Sequence, residues 1–488
     1  MQAANPPHLD LQATAKQVMM EQGFEPNFPA EVSQQLAELK QHPPQMGAGP
    51  DVRDLRNLLW SSIDNDTSRD LDQIEVAEAL PDGAVKVMIG IADVDAYVSK
   101  ATAIDQHAAR ETTTVYTGIR NFPMLPEELS TGATSLLENV DRLAVVIEFM
   151  VDSAGSVKGS DLYRALVHNK AQLQYNSVGA WLEGKAAAPP KVAASAELQQ
   201  QLKLQDDVAQ KLRTQRQQNG ALNLQTDEVL PLVLDNQVVD VVNQQKNRAT
   251  ELIEDFMVAA NGVVARALEN VSSLRRIVRT PKRWDRIVQL AASKGEKLPA
   301  EPDSKALNDL LLRRKAADPD HFADLSLTVI KLIGPGEYVL ERAGETAAGH
   351  FGLAVQDYTH STAPNRRFAD IITQRLIKAR LAGKSNPYSD DELTAAAANC
   401  TQKGDAARKV EREMSKRLAA VAMQHRIGEV FDAIVTGVTD RGTFVRVLQP
   451  HIEGLLAQGS QGLDVGDRLR AKLIRTDVQK GFIDFARA

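Results

Sequence analysis

The chain has 488 residues, room for roughly three domains of ordinary size, and 43% of them are hydrophobic, which excludes disorder as the default state. A net charge of −7 argues against a nonspecific nucleic-acid coat protein, but it is compatible with an enzyme whose metal-binding acids coexist with local basic surfaces. The single cysteine, Cys400, excludes an intramolecular disulfide and a Cys-pair zinc site. No apolar run is long enough to span a membrane, and Met1 to Asp10 has neither a basic nor an apolar signal region, so a cytoplasmic protein is expected.

In chain order, Leu11 to Gln22 and Ala30 to Lys40 carry apolar residues at helical spacing, separated by Gly23 and Pro26. Pro43-Pro44 and Gly47-Ala48-Gly49-Pro50 then read as a linker. Leu58 to Ile63 reads as a strand, and Ile74 and Val76 resume alternation before the turn Pro81-Asp82-Gly83. Val85, Val87, Ile89 and Ile91 alternate along the next strand. Between them lies Ile63-Asp64-Asn65-Asp66-Thr67-Ser68-Arg69-Asp70-Leu71-Asp72, four carboxylates in one loop length at the edge of a sheet. Crowded carboxylates raise one another's pKa, and a hard divalent cation with oxygen ligands relieves the repulsion. Asp70 and Asp72 alternate and point the same way on an extended backbone, and Asp64 joins them if the intervening residues loop back. Taken alone, the stretch is more often a solvated turn with ordinary surface acids, and the rest of the chain reverses that weighting.

Residues 142–151 read as a strongly apolar strand, and residues 166–218 as largely helical and polar, with Tyr175 near their start. Residues 228–241 have strand character, Thr250 to Leu268 is a helix with Glu251, Glu254 and Asp255 near its beginning, and residues 284–315 are helical. Pro364 leads into a helix ending near Leu381, whose basic lead-in and body (Arg366, Arg367, Arg375, Lys378, Arg380) suit phosphate. A long helix over residues 391–425 carries Glu411. From Gly428 the texture changes to short strands, Glu429 to Val438, Gly442 to Val447, Arg468 to Thr476 and Gly481 to Phe485, the pattern of a small closed OB-type barrel.

Five segments in order, IDNDTSRDLDQ, IGIADVDAYV, TTTVYTGIRNFPMLPEELST, IEDFMVAAN, and HFGL with STAPNRRFAD, resemble the ribonuclease II / RNB family of 3′-to-5′ exoribonucleases. The resemblance covers residues 51–425. Residues 426–488 resemble an S-one-type RNA-binding domain, with Gly442-Thr443-Phe444-Val445 in its Gly-x-Phe-Val strand. It implies an α+β (mixed α/β) RNB catalytic domain between a small helical segment, residues 1–50, and a C-terminal all-β OB-fold barrel. The implied function is processive, magnesium-dependent hydrolysis of single-stranded RNA to nucleoside 5′-monophosphates; beside it, a monomer with no membrane partner is expected, with the oligomeric state left open by the sequence.

By residue, the resemblance puts one or two Mg2+ ions on Asp64, Asp70, Asp72 and Gln73, and makes Asp72, Arg366 and Glu411 the catalytic set. Tyr116 becomes the aromatic stacking on terminal bases, Tyr175 and Glu254 the ribose contacts, and Leu224, Arg367 and Phe444 further RNA contacts. Three features depart from the family's pattern. Gln73 replaces an aspartate and brings no charge to the metal. Leu224 stands near a second stacking aromatic and has no π-face. Fifty N-terminal residues cannot hold the two cold-shock barrels of many relatives. Gln73 and Leu224 keep a rival reading open, a catalytically weakened RNA-binding protein; a DNA-directed nuclease is the other rival.

Overall fold

The computed structural model describes residues 10–44, 47, 51–226, 228–234, 237–244, 246–346 and 348–488. Helices α1 (Leu11–Glu21) and α2 (Ala30–Gln41) form the N-terminal piece. Asp10 caps α1 by accepting from the backbone N–H groups of Gln12 and Ala13, each at 3.0 Å. Much of the expected linker after Pro44 lies outside the described residues.

The strands that follow are β1 (Val52–Asp54), β2 (Ser61–Asp64), β3 (Gln73–Ala79) and β4 (Val85–Ala92). After α3 (Ala103–Glu111) come β5 (Val115–Tyr116), β6 (Asn121–Phe122), β7 (Asp141–Val151), β8 (Val157–His168) and β9 (Ala171–Gln174). Seven of them make one sheet in the order β1-β8-β7-β4-β3-β2-β9. β3 and β4 pair antiparallel along their length, Gln73 opposite Ile91, whereas β2 meets β3 only at Ser61 and Glu75. From there β2 follows β9 in parallel, Asp64 opposite Gln174. The two strands therefore fork, and the acidic loop leaves one prong at Asp64 and enters the other at Gln73.

Helices α4 (Tyr175–Leu182), α5 (Pro190–Ala193) and α6 (Ala196–Gln218) follow, then the hairpin β10 (Glu228–Leu234) and β11 (Gln237–Gln244) and helix α7 (Arg248–Ala267). The expectation that residues 166–218 are largely helical fails at its start, where β8 and β9 complete the sheet. β8 is buried over most of its second half and so lacks the polar alternation that marks a half-exposed strand. β12 (Ser273–Ile277) pairs with β13 (Glu337–Glu341) around α8 (Trp284–Ser293), α9 (Ser304–Ala317) and α10 (Phe322–Ile333). Residues 284–315 are thus two helices; Gly295, at φ 76°, ends the first turn of chain after α8.

Helix α11 (Phe368–Leu381) is buried along most of its length, and α12 (Asp390–Met423) starts with a capping box from Ser389 and Glu392. Strands β14 (Val430–Thr439), β15 (Gly442–Val447), β16 (Glu453–Gln458), β17 (Arg468–Asp477) and β18 (Phe482–Arg487) close as a barrel in the order β14-β15-β16-β18-β17. Phe431 and Phe485 meet edge to face in its core, with ring centroids 6.4 Å apart. Arg446 of β15 reaches Asp324 of α10 through two nitrogens, at 2.9 and 3.1 Å, and ties the barrel to the helical layer.

Candidate active site

The fork between β2 and β3 opens onto a cavity of about 330 Å3 lined by Asp64, Asp70, Asp72, Gln73, Tyr116, Tyr175, Arg366, Asn65, Ser68, Thr362, Ile253 and Met257. The loop does fold back as the spacing requires. Asp64 Oδ1 accepts from the Asn65 backbone at 2.7 Å and from Ser68 Oγ at 2.9 Å, a local turn that returns the chain toward Asp70. Ser135 Oγ fixes the far end, accepting from Leu71 N at 3.0 Å and donating to Arg69 O at 2.7 Å.

Asp72 is 2% exposed. Its Oδ1 accepts from the Asn365 backbone at 2.8 Å and its Oδ2 from Arg366 Nε at 3.3 Å. Burial pushes its carboxyl up to about 7, with Asp70 and Asp370 adding to the rise and Arg366 and the Asn365 N–H opposing it. Burial also raises Asp64, against the hydrogen bonds from Asn65 and Ser68. Asp70 Oδ2 accepts from the Tyr116 hydroxyl at 2.7 Å, and burial together with Asp70 keeps that phenol protonated.

Arg366 sits on a turn stapled to the strand that carries Tyr116. Thr114 N donates to Arg366 O at 3.0 Å, and Phe368 N to Thr112 O at 2.8 Å. Its side chain is 45% exposed and opens into the cavity. The helix start expected after Pro364 lies at Phe368. Both Arg366 N and Arg367 N donate to Ala363 O, and Asn365 N is spent on Asp72, so the turn presents a guanidinium, not a row of helix N–H groups.

Several sequence-predicted residues stand elsewhere. Arg367 turns inward to Asp370 Oδ1 at 2.7 Å and is not among the cavity residues. Arg375, buried, and Lys378, half-buried, are engaged in ion pairs with Asp95, Asp105 and Asp93, so the middle of the expected basic track along α11 is a set of internal pairs, and Arg380 beyond them is exposed. Glu411 accepts the Tyr116 backbone N–H at 3.2 Å and supports the aromatic strand without lining the cavity. Leu224 and Glu254 line an adjoining cavity of about 240 Å3 with Arg213, Arg216 and Lys246; Glu254 pairs with Lys246 at 2.6 Å. Phe444 lines a third cleft, about 350 Å3, between the barrel and α8–α10. Sequence reasoning missed Asn365, Ser68 and Thr362, all inside quoted motifs, and Ile253 and Met257, whose i, i+4 spacing on α7 was the available signal.

The donor chemistry of Asp64, Asp70, Asp72 and Gln73, all oxygen and short of positive charge, fits a hard divalent cation. Among the described residues, however, no group of three or more His, Cys, Asp or Glu side chains is gathered closely enough to hold a metal ion. The carboxylates line one cavity without forming a closed shell. No helix among the described residues is long and apolar enough to cross a membrane.

The RNB domain model matches residues 52–383, and the model of the C-terminal S1 domain of RNase II-type exonucleases matches residues 429–488. The chain is 30% identical over 468 residues to ribonuclease R of Thermotoga maritima, covering 89% of this chain and 64% of that protein. Against ribonuclease R of Escherichia coli it is 30% identical over 470 residues, covering 91% of this chain and 56% of the relative, so it spans somewhat over half the length of these relatives. The apo form of Mycoplasma genitalium RNase R superposes with a TM-score of 0.84 at 23% identity, over 98% of this chain and 78% of that one. The chain belongs to the RNB-domain exoribonuclease family, the RNase R and RNase II group, and carries that family's C-terminal S1 domain.

Proposed function

We propose that the chain is a 3′-to-5′ exoribonuclease that removes nucleoside 5′-monophosphates from single-stranded RNA with magnesium. The observation that carries the reading is one cavity holding three aspartates, an open guanidinium and an exposed tyrosine face. At about 330 Å3 it is at the small end of ligand sites, which run from roughly 300 to 1,000 Å3, and it suits one nucleotide unit. The family membership supports the same reading, as does a structural neighbour, M. genitalium RNase R, whose complex contains ribose-methylated single-stranded RNA.

When bound, magnesium would be held by Asp64, Asp70, Asp72 and the Gln73 carbonyl, and would supply Lewis acidity and a water of lowered pKa. The chain's own groups do the rest. Arg366, anchored through Nε to Asp72, keeps its other nitrogens for the phosphate and neutralises charge developing there. Tyr116, with its hydroxyl fixed to Asp70, offers its ring to a terminal base without regard to sequence. Tyr175, Ile253 and Met257 give the cavity its less polar lining, against which a ribose would rest. The barrel cleft containing Phe444 would grip RNA farther from the 3′ end.

The second reading, RNA binding without turnover, draws on Gln73 and on the absence of a closed carboxylate shell. A 5′-labelled single-stranded RNA with magnesium separates the two. Wild type should shorten it from the 3′ end to a short 5′-labelled limit product, and chelator and Asp72→Asn should abolish the shortening. RNA binding with no shortening would leave only the second reading, and equal degradation of an all-deoxyribose oligomer would remove RNA as the preferred substrate.

A further inference from the structure

The acidic loop and the Arg366 turn come from distant parts of the chain, and one short segment between them touches both. It leaves a wide turn of π-helix, Glu128–Ala133, in which Thr134 N donates back five residues to Leu129 O at 3.0 Å. Thr134 and Ser135 follow, buried at 3% and 0% exposure. Ser135 Oγ holds the acidic loop on both sides of Asp70, accepting from Leu71 N at 3.0 Å and donating to Arg69 O at 2.7 Å. Leu136 N adds a bond to Leu71 O at 3.0 Å. Thr134 reaches the other half: its Oγ1 lies 2.6 Å from the side-chain oxygen of Asn365. Asn365 is fully buried, immediately precedes Arg366, and donates its backbone N–H to Asp72 Oδ1 at 2.8 Å.

These contacts close a ring. It runs from Asp72 to Asn365, through the Asn365 side chain to Thr134, along one peptide bond to Ser135, across to Leu71, and along one peptide bond back to Asp72. Thr134 has a single hydroxyl proton for two acceptors, Asn365 Oδ1 and Leu129 O, the second at 2.7 Å, while Asn365 Nδ2 is buried without a partner. Turning that amide over lets its NH2 donate to Thr134 Oγ1 as Thr134 donates to Leu129 O, and the link holds in both orientations. The segment is itself fixed from outside. Arg142 of β7 donates to Ser135 O and to Gly132 O, each at 2.9 Å. Asn169 Nδ2 joins Leu136 O, at 2.9 Å, to Ser62 Oγ of β2, at 3.0 Å. Neither Thr134 nor Ser135 lines the cavity, so neither touches what binds there. A buried network of directional bonds fixes distances that apolar packing would leave looser.

We propose that Thr134 and Ser135 are positioning residues that set the separation between the acidic loop and the Arg366 turn. Through the ring, Asp72 and the guanidinium reach one phosphate together. Breaking either hydroxyl link frees both halves, because each is held against the other. The catalytic meaning of the ring rests on the exoribonuclease reading; its existence does not.

The test compares the full chain with Thr134→Val, Thr134→Ser, Ser135→Ala and the Thr134→Val/Ser135→Ala double variant. Backbone hydrogen exchange in chelator, followed by mass spectrometry, reads the ring without RNA or metal. Thr134→Val and Ser135→Ala should each speed exchange both in residues 65–72 and in residues 363–368, with the C-terminal barrel unchanged. Single-turnover cleavage of 5′-labelled single-stranded RNA at saturating magnesium should fall roughly ten- to hundredfold in both, with RNA affinity within about twofold of wild type. Thr134→Ser, which keeps the hydroxyl, should stay near wild type. The double variant should be no slower than the slower single, because one break already opens the ring. Faster exchange confined to the substituted side, Thr134→Ser as slow as Thr134→Val, or losses that multiply in the double variant would each overturn the ring. A wild type that cleaves no RNA would refute the exoribonuclease reading instead, and the exchange pattern would still decide the ring.

Discussion

Asp72 should make the metal-free protein less stable as the pH rises, and Asp72→Asn should remove that loss. The ordinary carboxyl value is 3.8, and in the fold it is pushed up to about 7. Between those values the native state holds more protons than the unfolded chain, so unfolding free energy falls with increasing pH and levels off above the folded pKa. Each unit corresponds to about 1.36 kcal/mol, so between pH 5 and pH 8 wild type should lose about 3 kcal/mol through this group alone. Asparagine can still accept from Asn365 N but loses the pair with Arg366, so part of the gain is returned. The variant should match wild type near pH 5 and exceed it by about 2 kcal/mol at pH 8. Urea denaturation of both proteins in chelator at pH 5, 6, 7 and 8 measures the difference, in which every other titrating group cancels. Parallel curves at all four pH values would mean that the carboxylate is ionised throughout, and would refute the claim that the cavity is short of positive charge. Saturating magnesium should flatten the wild-type slope.

Three further predictions follow from the same geometry. Arg366→Lys keeps the charge but cannot hold Asp72 and a phosphate oxygen together, so single-turnover cleavage should fall at least tenfold, nearly as far as in Arg366→Ala; a lysine variant near wild type would rule out the planar role. Tyr116→Phe keeps the stacking face and loses only the bond to Asp70, whereas Tyr116→Ala should weaken binding of short RNA by about 1–3 kcal/mol, so equal affinities in the two variants would count against stacking. Arg446→Ala should cost about 1–3 kcal/mol of barrel docking and speed proteolysis near the junction after α12, and an unchanged digestion pattern would show that the Asp324 contact does not hold the barrel.

What could be read in the sequence follows how local each cause is. The strand alternation from Ile74 to Ile91, the apolar spacing of α1, α2 and α7, and the change of texture at Gly428 are short-range signals, and the corresponding elements appear. Asp64, Asp70 and Asp72 line one cavity because the five residues between Asp64 and Asp70 can turn the chain back. The basic residues of α11 misled because their partners, Asp93, Asp95 and Asp105, lie some 270–285 residues away and convert a charged face into buried pairs. Leu224 and Glu254 line the neighbouring cavity and not the aspartate one, where α7 contributes Ile253 and Met257; which side of α7 faces which cavity is set by its packing and visible in no local pattern. Glu75 is illegible for the opposite reason: in an alternating strand a glutamate reads as solvent-facing, yet on β3 it is fully buried.

Fold alone does not decide between a nuclease and a binder, because yeast Ssd1, a pseudonuclease, shares it at a TM-score of 0.71 and 15% identity over 96% of this chain. The discriminating quantity is therefore energetic. An RNA-binding wall is served by exposed cations and aromatic faces, which are cheap to keep folded. This chain instead keeps Asp72 at 2% exposure and Glu75 fully buried, each held against its tendency to ionise, where asparagine or leucine would be more stable. Local violations of this kind persist where the strained groups have work that a stable substitute cannot do. If Asp72→Asn gains stability at pH 8 and loses turnover in the same protein, the burial is explained by the chemistry; a gain in stability with turnover intact would break that link.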